Sequence, residues 1–288
     1  MYPAKFDYHR PSSVQEAVSL LQANPDAKVL AGGHSLLPAM KLRLAQPAAL
    51  VDIGRIPGLS GVSLADGRLR IGPLTTHAEL ASSELVRQHC PLLAEAAGVI
   101  GDRQVRHRGT IGGNLVHADP ASDLPAVVVA LDGVLHLTGP GGERQVSAAD
   151  FFVDLLTTDI QPGELLTAIE VSTLGAGSGS CYLKFEHPAS GYAVCGAAAI
   201  VQLDGSGRCS GARLALNGVS VKPVDAGAVT GALVGQALDD ATIDQAVDAH
   251  LSIQDPMGDI YASEEYRQAL ARSYAKQALK LARDRARG

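Results

Sequence analysis

The chain has 288 residues, 46% hydrophobic and 19% charged, which is enough apolar material for two cores and excludes a disordered or fibrous protein. A formal net charge of -6 leaves no strong basic field, which argues against nucleic acid as the main ligand. No apolar run reaches membrane-spanning length, and the first residues lack the apolar stretch of an export signal. The expectation is a cytoplasmic protein without an integral membrane segment.

In chain order, Ser12 and Gln15 read as a capping box opening an amphipathic helix that runs to about Asn24, with Val14, Ala17, Val18 and Leu21 at helical spacing. A short apolar strand over residues 28–31 leads directly into Gly32, Gly33, His34 and Ser35. An apolar stretch at 36–44 follows, in which Pro38 fits only near a helix start. Strands are expected at 50–53 and 69–72, and helices over 76–101. A second glycine turn, Thr110, Ile111, Gly112, Gly113 and Asn114, comes next, then Asp119, Asp123 and the apolar run 126–131. Strands are predicted at 134–138 and 165–171. The glycine-rich residues 175–179 read as a linker between a first domain, 1–174, and a second, 180–288. In the second domain, strand patterns at 181–186, 193–203 and 209–216, with a hairpin turn at 204–207, precede helices ending in one from Ser263 to Arg287.

The chemistry-bearing residues each admit two readings. Cys90, Cys181, Cys195 and Cys209 contain no C-x-x-C pair, so they read as free thiols and not as zinc or iron-sulfur ligands. A Gly-Gly after a strand is a simple turn or a phosphate cradle whose backbone N–H groups converge on an anion. Two such turns carrying hydroxyls suggest a dinucleotide pyrophosphate held between them, with Asp123 as acceptor for a ribose hydroxyl. Neither turn fits the G-x-G-x-x-G fingerprint, and no P-loop or nucleophile-elbow motif occurs. His117 and Asp119 read as metal ligands or, more simply, as turn residues. The basic residues Arg267, Arg272, Lys276, Lys280 and Arg283 read as a solvated helix face or a docking surface.

The stretch Ala31, Gly32, Gly33, His34, Ser35, Leu36, Leu37 and Pro38, taken with Thr110 to Asn114 and Asp119, Pro120, Asp123, Leu124 and Pro125, resembles the flavin-binding signatures of molybdenum hydroxylases. The likeness spans the chain and is strongest to the medium, FAD-binding subunits of the carbon monoxide dehydrogenase group, with the xanthine dehydrogenase flavin domain as a relative. It implies an α+β fold: a PCMH-type (vanillyl-alcohol-oxidase-like) FAD domain of two subdomains, then a small domain of a three-stranded antiparallel sheet plus helices. It also implies non-covalent FAD held by Ala31, Gly32, Gly33, His34 and Ser35 and by Thr110, Ile111, Gly112, Gly113 and Asn114. Asp123 would bind the adenosine portion, Leu166 and Lys184 would line the cofactor, and Tyr192 would pack on the isoalloxazine ring.

By the same resemblance, a large molybdopterin-binding subunit and a small subunit with two 2Fe-2S clusters are partners. They form a dimer of heterotrimers, cytoplasmic or peripheral at the inner membrane, in which FAD passes electrons to an external acceptor. No side chain of this subunit is then needed as a catalytic group. The segment 186–191 is less basic than expected of close carbon monoxide dehydrogenase relatives, so the substrate stays open among carbon monoxide, an aldehyde, a purine and another heterocycle. Two other readings are a stand-alone flavoprotein oxidase with FAD tethered through His34, and an assembly protein that has lost its cofactor.

Overall fold

A computed structural model describes residues 2–288. Strand Ala49–Asp52 lies between Asp7–His9 and Lys28–Leu30, and both pairings are parallel. Parallel strands need a crossover: the segment carrying helix Leu36–Lys41 joins Lys28–Leu30 to its neighbour Ala49–Asp52, and the two outer strands are joined by helix Val14–Ala23. Its cap falls one residue later than the sequence pattern suggests: Ser13 accepts from the Glu16 N–H at 3.2 Å, and the Glu16 carboxylate returns to the Ser12 N–H at 2.7 Å. A charged carboxylate complements the helix N-terminus better than the Gln15 amide does.

The second subdomain is a five-stranded antiparallel sheet in the order Val62–Ala65, Arg68–Ile71, Leu165–Ser172, Val134–Gly139, Gly142–Ser147. Between its second and third strands in sequence run the short helices His77–Ser82, Glu84–His89, Pro91–Gly98, Arg103–Arg106, Ile111–His117 and Leu124–Ala130. The apolar run at 126–131 is therefore a buried helix, which its flanking Asp123 and Pro125 allow.

The last sheet has the order Ser178–Glu186, Ala193–Leu203, Cys209–Asn217, Val224–Asp225, all antiparallel, so a two-residue fourth strand extends the three expected. Side chains alternate between its faces. Cys181, Ala197, Ala199, Leu214 and Leu216 face a core built with helix Glu264–Arg287, whereas Tyr182, Ala198, Ile200 and Ala215 join the core of the preceding subdomain. That two-sided burial explains why residues 193–201 are apolar without interruption.

Two local expectations change in the folded chain. Ser178 and Gly179 belong to a strand and not to a linker; a Cβ on Gly179 would strike the backbone of the terminal helix at Ala282 and Ala286. The basic helix face is not solvated. Arg267 is buried and donates to the Val194 carbonyl at 2.7 Å and to Asp259 at 2.6 Å, while Lys276, Lys280 and Arg283 pair with Asp248, Asp244 and Asp240 of helix Asp240–His250. Those aspartates recur every four residues, a stripe matched to the basic one. The four cysteines are buried free thiols, and burial pushes Cys90, Cys181 and Cys195 up to about 12. Among the described residues no helix is long and apolar enough to cross a membrane, and no cluster of three metal-ligating side chains occurs.

Candidate functional site

The first glycine turn leaves the end of strand Lys28–Leu30 and enters the short helix Leu36–Lys41. Gly33 has φ +77°, a left-handed conformation that favours glycine. Gly32 is required for a different reason, since a Cβ there would run into the carbonyl oxygen of Arg108 and lie 3.0 Å from Gly109 Cα. Among the described residues, the backbone N–H groups of Gly32, Gly33, His34 and Ser35 have no hydrogen-bond partner, and the Ser35 hydroxyl makes no capping bond. Four successive free donors are an arrangement that can take up an anion. The exposed His34 keeps its Nδ1 3.4 Å from the Gly32 carbonyl.

The second turn is built differently. Thr110 caps helix Ile111–His117, its hydroxyl accepting from the Gly113 N–H at 3.2 Å. The Ile111 and Gly112 N–H groups donate to the carbonyls of Thr75 and Pro73 at 3.0 and 2.8 Å. The expectation that this turn offers free backbone donors is therefore corrected: tertiary partners already hold them. Gly112 serves close packing on Pro73, where a Cβ would clash, and Gly113 faces the first turn, its Cβ position 3.8 Å from Ala31 Cβ. Asn114 donates to the Ser122 hydroxyl at 3.0 Å, while its buried Oδ1 is without a partner among the described residues. The two turns thus abut, and Arg108 and Gly109 are the seam.

Two features around this seam escape a reading by motif. His77 is buried against Gly109, its Nδ1 unpartnered among the described residues; burial first, then His34 and Arg106, hold its pKa down to about 4, so it is neutral. Beside the first turn lies a cleft of about 240 Å³, lined among others by Gly32, Arg10, Arg55 and Arg108 and by one carboxylate, Asp52, which accepts from the Tyr8 hydroxyl. None of the three guanidiniums enters an ion pair among the described residues. They are scattered through the sequence, and only the fold gathers them.

Asp123, Lys184 and Tyr192 meet where the two domains touch. Asp123 precedes helix Leu124–Ala130 and is 4% exposed. It accepts from the Tyr182 hydroxyl at 2.6 Å and stands 3.3 Å from Lys184 Nζ. Burial raises its pKa to about 6 and outweighs the ammonium and the phenol, which both act to lower it. Lys184 also donates to the carbonyls of Val99 at 2.7 Å and Gly191 at 2.8 Å, fastening the segment before Tyr192 to the first domain. The Tyr192 ring remains half exposed, and burial, then Asp119 and Asp123, raise its hydroxyl pKa. Leu166 behaves otherwise. Its side chain is buried in the sheet core opposite Leu137, so it presents no side-chain surface to a ligand.

The family described as "FAD binding domain in molybdopterin dehydrogenase" matches residues 4–173, and that described as "CO dehydrogenase flavoprotein C-terminal domain" matches residues 180–282. The carbon monoxide dehydrogenase medium chain of Hydrogenophaga pseudoflava is 40% identical over 283 residues, covering 98% of each chain. A subunit of the 6-hydroxypseudooxynicotine dehydrogenase complex of Paenarthrobacter nicotinovorans is 39% identical, covering 100% of this chain and 97% of that one. Among solved structures, the Hydrogenophaga pseudoflava carbon monoxide dehydrogenase lacking the Mo-pyranopterin moiety matches with a TM-score of 0.95 at 42% identity, covering 99% of both chains. The chain belongs to the FAD-binding medium subunits of the molybdenum-containing dehydrogenases, and it is an oxidoreductase subunit.

Proposed function

We propose that this chain holds FAD between its two glycine turns and the domain seam, receives electrons from iron-sulfur clusters of a small partner subunit, and delivers them to an external acceptor. A large molybdopterin-binding subunit completes the complex, arranged as a dimer of heterotrimers. The observation that carries the reading is the row of free N–H groups at residues 32–35 beside three unpaired arginines, since a pyrophosphate needs both a donor cradle and a positive field. The unpartnered Asn114 Oδ1 and the bare Gly113 at the facing turn fit the same ligand.

In this reading Gly32 to Ser35 bind the pyrophosphate, Arg10, Arg55 and Arg108 neutralise it, and Ala31 and Gly113 leave the backbone accessible between the turns. Thr110, Ile111 and Gly112 shape the second turn, Asn114 and Asp123 accept hydroxyls, Lys184 holds the 187–192 segment, and Tyr192 covers one face of the ring and excludes water from it. Leu166 contributes by keeping the underlying sheet packed. When bound, FAD supplies the redox step, exchanging electrons singly or in pairs, while the protein supplies position and electrostatics. No acid-base pair is required of the chain.

The relatives named above act in complexes on unlike substrates at nearly equal identity, 40% and 39%, which supports placing the substrate site on another subunit. The test is an FAD titration of the purified chain followed by flavin fluorescence and visible absorbance. Saturable uptake of a single FAD per chain, released on denaturation, is expected; a colourless chain that takes up none, alone or with its partner subunits, refutes the reading.

A further inference from the structure

The inner face of the C-terminal sheet carries two polar groups that packing does not require. In register across three strands lie Lys184, Gly196 and Asn217, with Tyr182 two residues before Lys184 on the same face. Tyr182 is 4% exposed and Asn217 is 1% exposed. A phenylalanine at position 182 would fill the core without the cost of burying a hydroxyl. The hydroxyl is instead directed across the domain seam to Asp123 at 2.6 Å.

Asn217 supports that hydroxyl. Its side-chain oxygen is placed 3.2 Å from the phenol oxygen, and its Nδ2 has no partner among the described residues. A phenol has one proton, and that proton goes to the carboxylate. Turning the amide so that Nδ2 donates gives the phenol oxygen its donor and leaves the amide oxygen in the unpartnered position. Gly196, between them in the middle strand, leaves the room: a Cβ there would collide with the Asn217 amide and the Tyr182 hydroxyl. Glycine is unfavourable inside a strand, so a close approach of this kind is a reason for its presence.

We propose that Tyr182 is a positioning residue which, backed by Asn217 and the bare Gly196, orients the Asp123 carboxylate across the domain seam to receive the cofactor. The inference rests on the reading that the chain binds FAD, and it adds a role for side chains of the second domain that do not themselves line the glycine turns. The groups facing Asp123 are Lys184 and Tyr182 from the strand and Tyr192 from the segment after it; Asp119 lies on its own segment, and Cys195 stands behind Tyr182. Of these, Tyr182 and Lys184 favour the ionised carboxylate while burial opposes it. Removing the hydroxyl therefore moves Asp123 toward its neutral form.

The experiment follows the Asp123 carboxyl resonance in the full chain labelled with carbon-13 aspartate, assigned by its loss in Asp123→Asn, and in parallel the FAD dissociation constant against pH. Tyr182→Phe is expected to raise the Asp123 midpoint by about one pH unit, so that FAD binds about tenfold more weakly near pH 5 and equally well near pH 8.5. Asn217→Ala moves the midpoint in the same direction and serves where Tyr182→Phe fails to fold. An unmoved midpoint in the variants overturns the proposal, as does an equal loss of FAD affinity at every pH. Wild-type chain that takes up no FAD while the midpoint still moves would instead refute the proposed function and, with it, the cofactor role of Asp123, leaving only the Tyr182–Asp123 hydrogen bond across the domain seam.

Discussion

Replacing Gly32 by Ala tests the junction of the two turns at a single atom. The new Cβ would stand 2.9 Å from the Arg108 carbonyl carbon and 3.0 Å from Gly109 Cα, against 3.4–4 Å for ordinary contact. Both neighbours are backbone, as is the Arg108 carbonyl oxygen that the new Cβ would meet first, so no side chain can swing aside and the turns must separate by about an ångström or more. Forced overpacking of this kind costs about 1–3 kcal/mol. At about 1.4 kcal/mol per tenfold, the same displacement at the pyrophosphate cradle weakens FAD binding by about ten- to a hundredfold. Denaturant unfolding of the chain without FAD gives the first figure and fluorescence titration the second. Gly205→Ala, where nothing lies within 4 Å, is the control and should change neither. A Gly32→Ala chain with wild-type stability and wild-type FAD affinity would refute the claim that the seam forms the cradle.

Other outcomes follow from the same geometry. His77 has its pKa lowered to about 4 from 6.5, so it contributes stability that is present above pH 6.5 and lost as pH falls through 4. The shift corresponds to about 3 kcal/mol, and urea unfolding of His77→Gln should show a flatter acid limb than wild type; identical limbs would contradict the assignment. Arg108→Gln should weaken FAD binding about three- to tenfold at low salt, with the difference shrinking as salt rises; a salt-independent loss would point to damaged packing instead. Tyr192→Ala should weaken FAD retention or change the rate of flavin re-oxidation, and an unchanged affinity and rate would exclude ring packing by Tyr192.

Much of this was legible in the chain before folding. The alternation and turn signals placed the long strands of the last sheet and those at 28–30, 49–52, 68–71, 134–139 and 165–172, because their burial patterns are written in their own residues, but not Asp7–His9, Val62–Ala65 or Gly142–Ser147; the paired Gly-Gly turns marked the candidate site. What remained hidden depended on partners distant in sequence. The two turns look alike as strings, yet only the first keeps free N–H groups, because Pro73 and Thr75 present carbonyls to the second. The basic terminal helix looked solvated until Asp240, Asp244 and Asp248 were brought against it from another helix. Leu166 matched a cofactor-lining position, but its register opposite Leu137 turns the side chain into the core. Tyr182 could have been suspected, as one of only seven tyrosines and two residues from Lys184. Its target, Asp123, is visible only once the domains are closed.

The central claim, that electrons leave the complex through FAD on this chain, is tested most directly in an assembled complex stripped of flavin. Substrate added anaerobically should still reduce the iron-sulfur clusters of the partner subunit, reduction of the external acceptor should stop, and added FAD should restore it. Acceptor reduction that continues at the original rate without FAD would contradict the account.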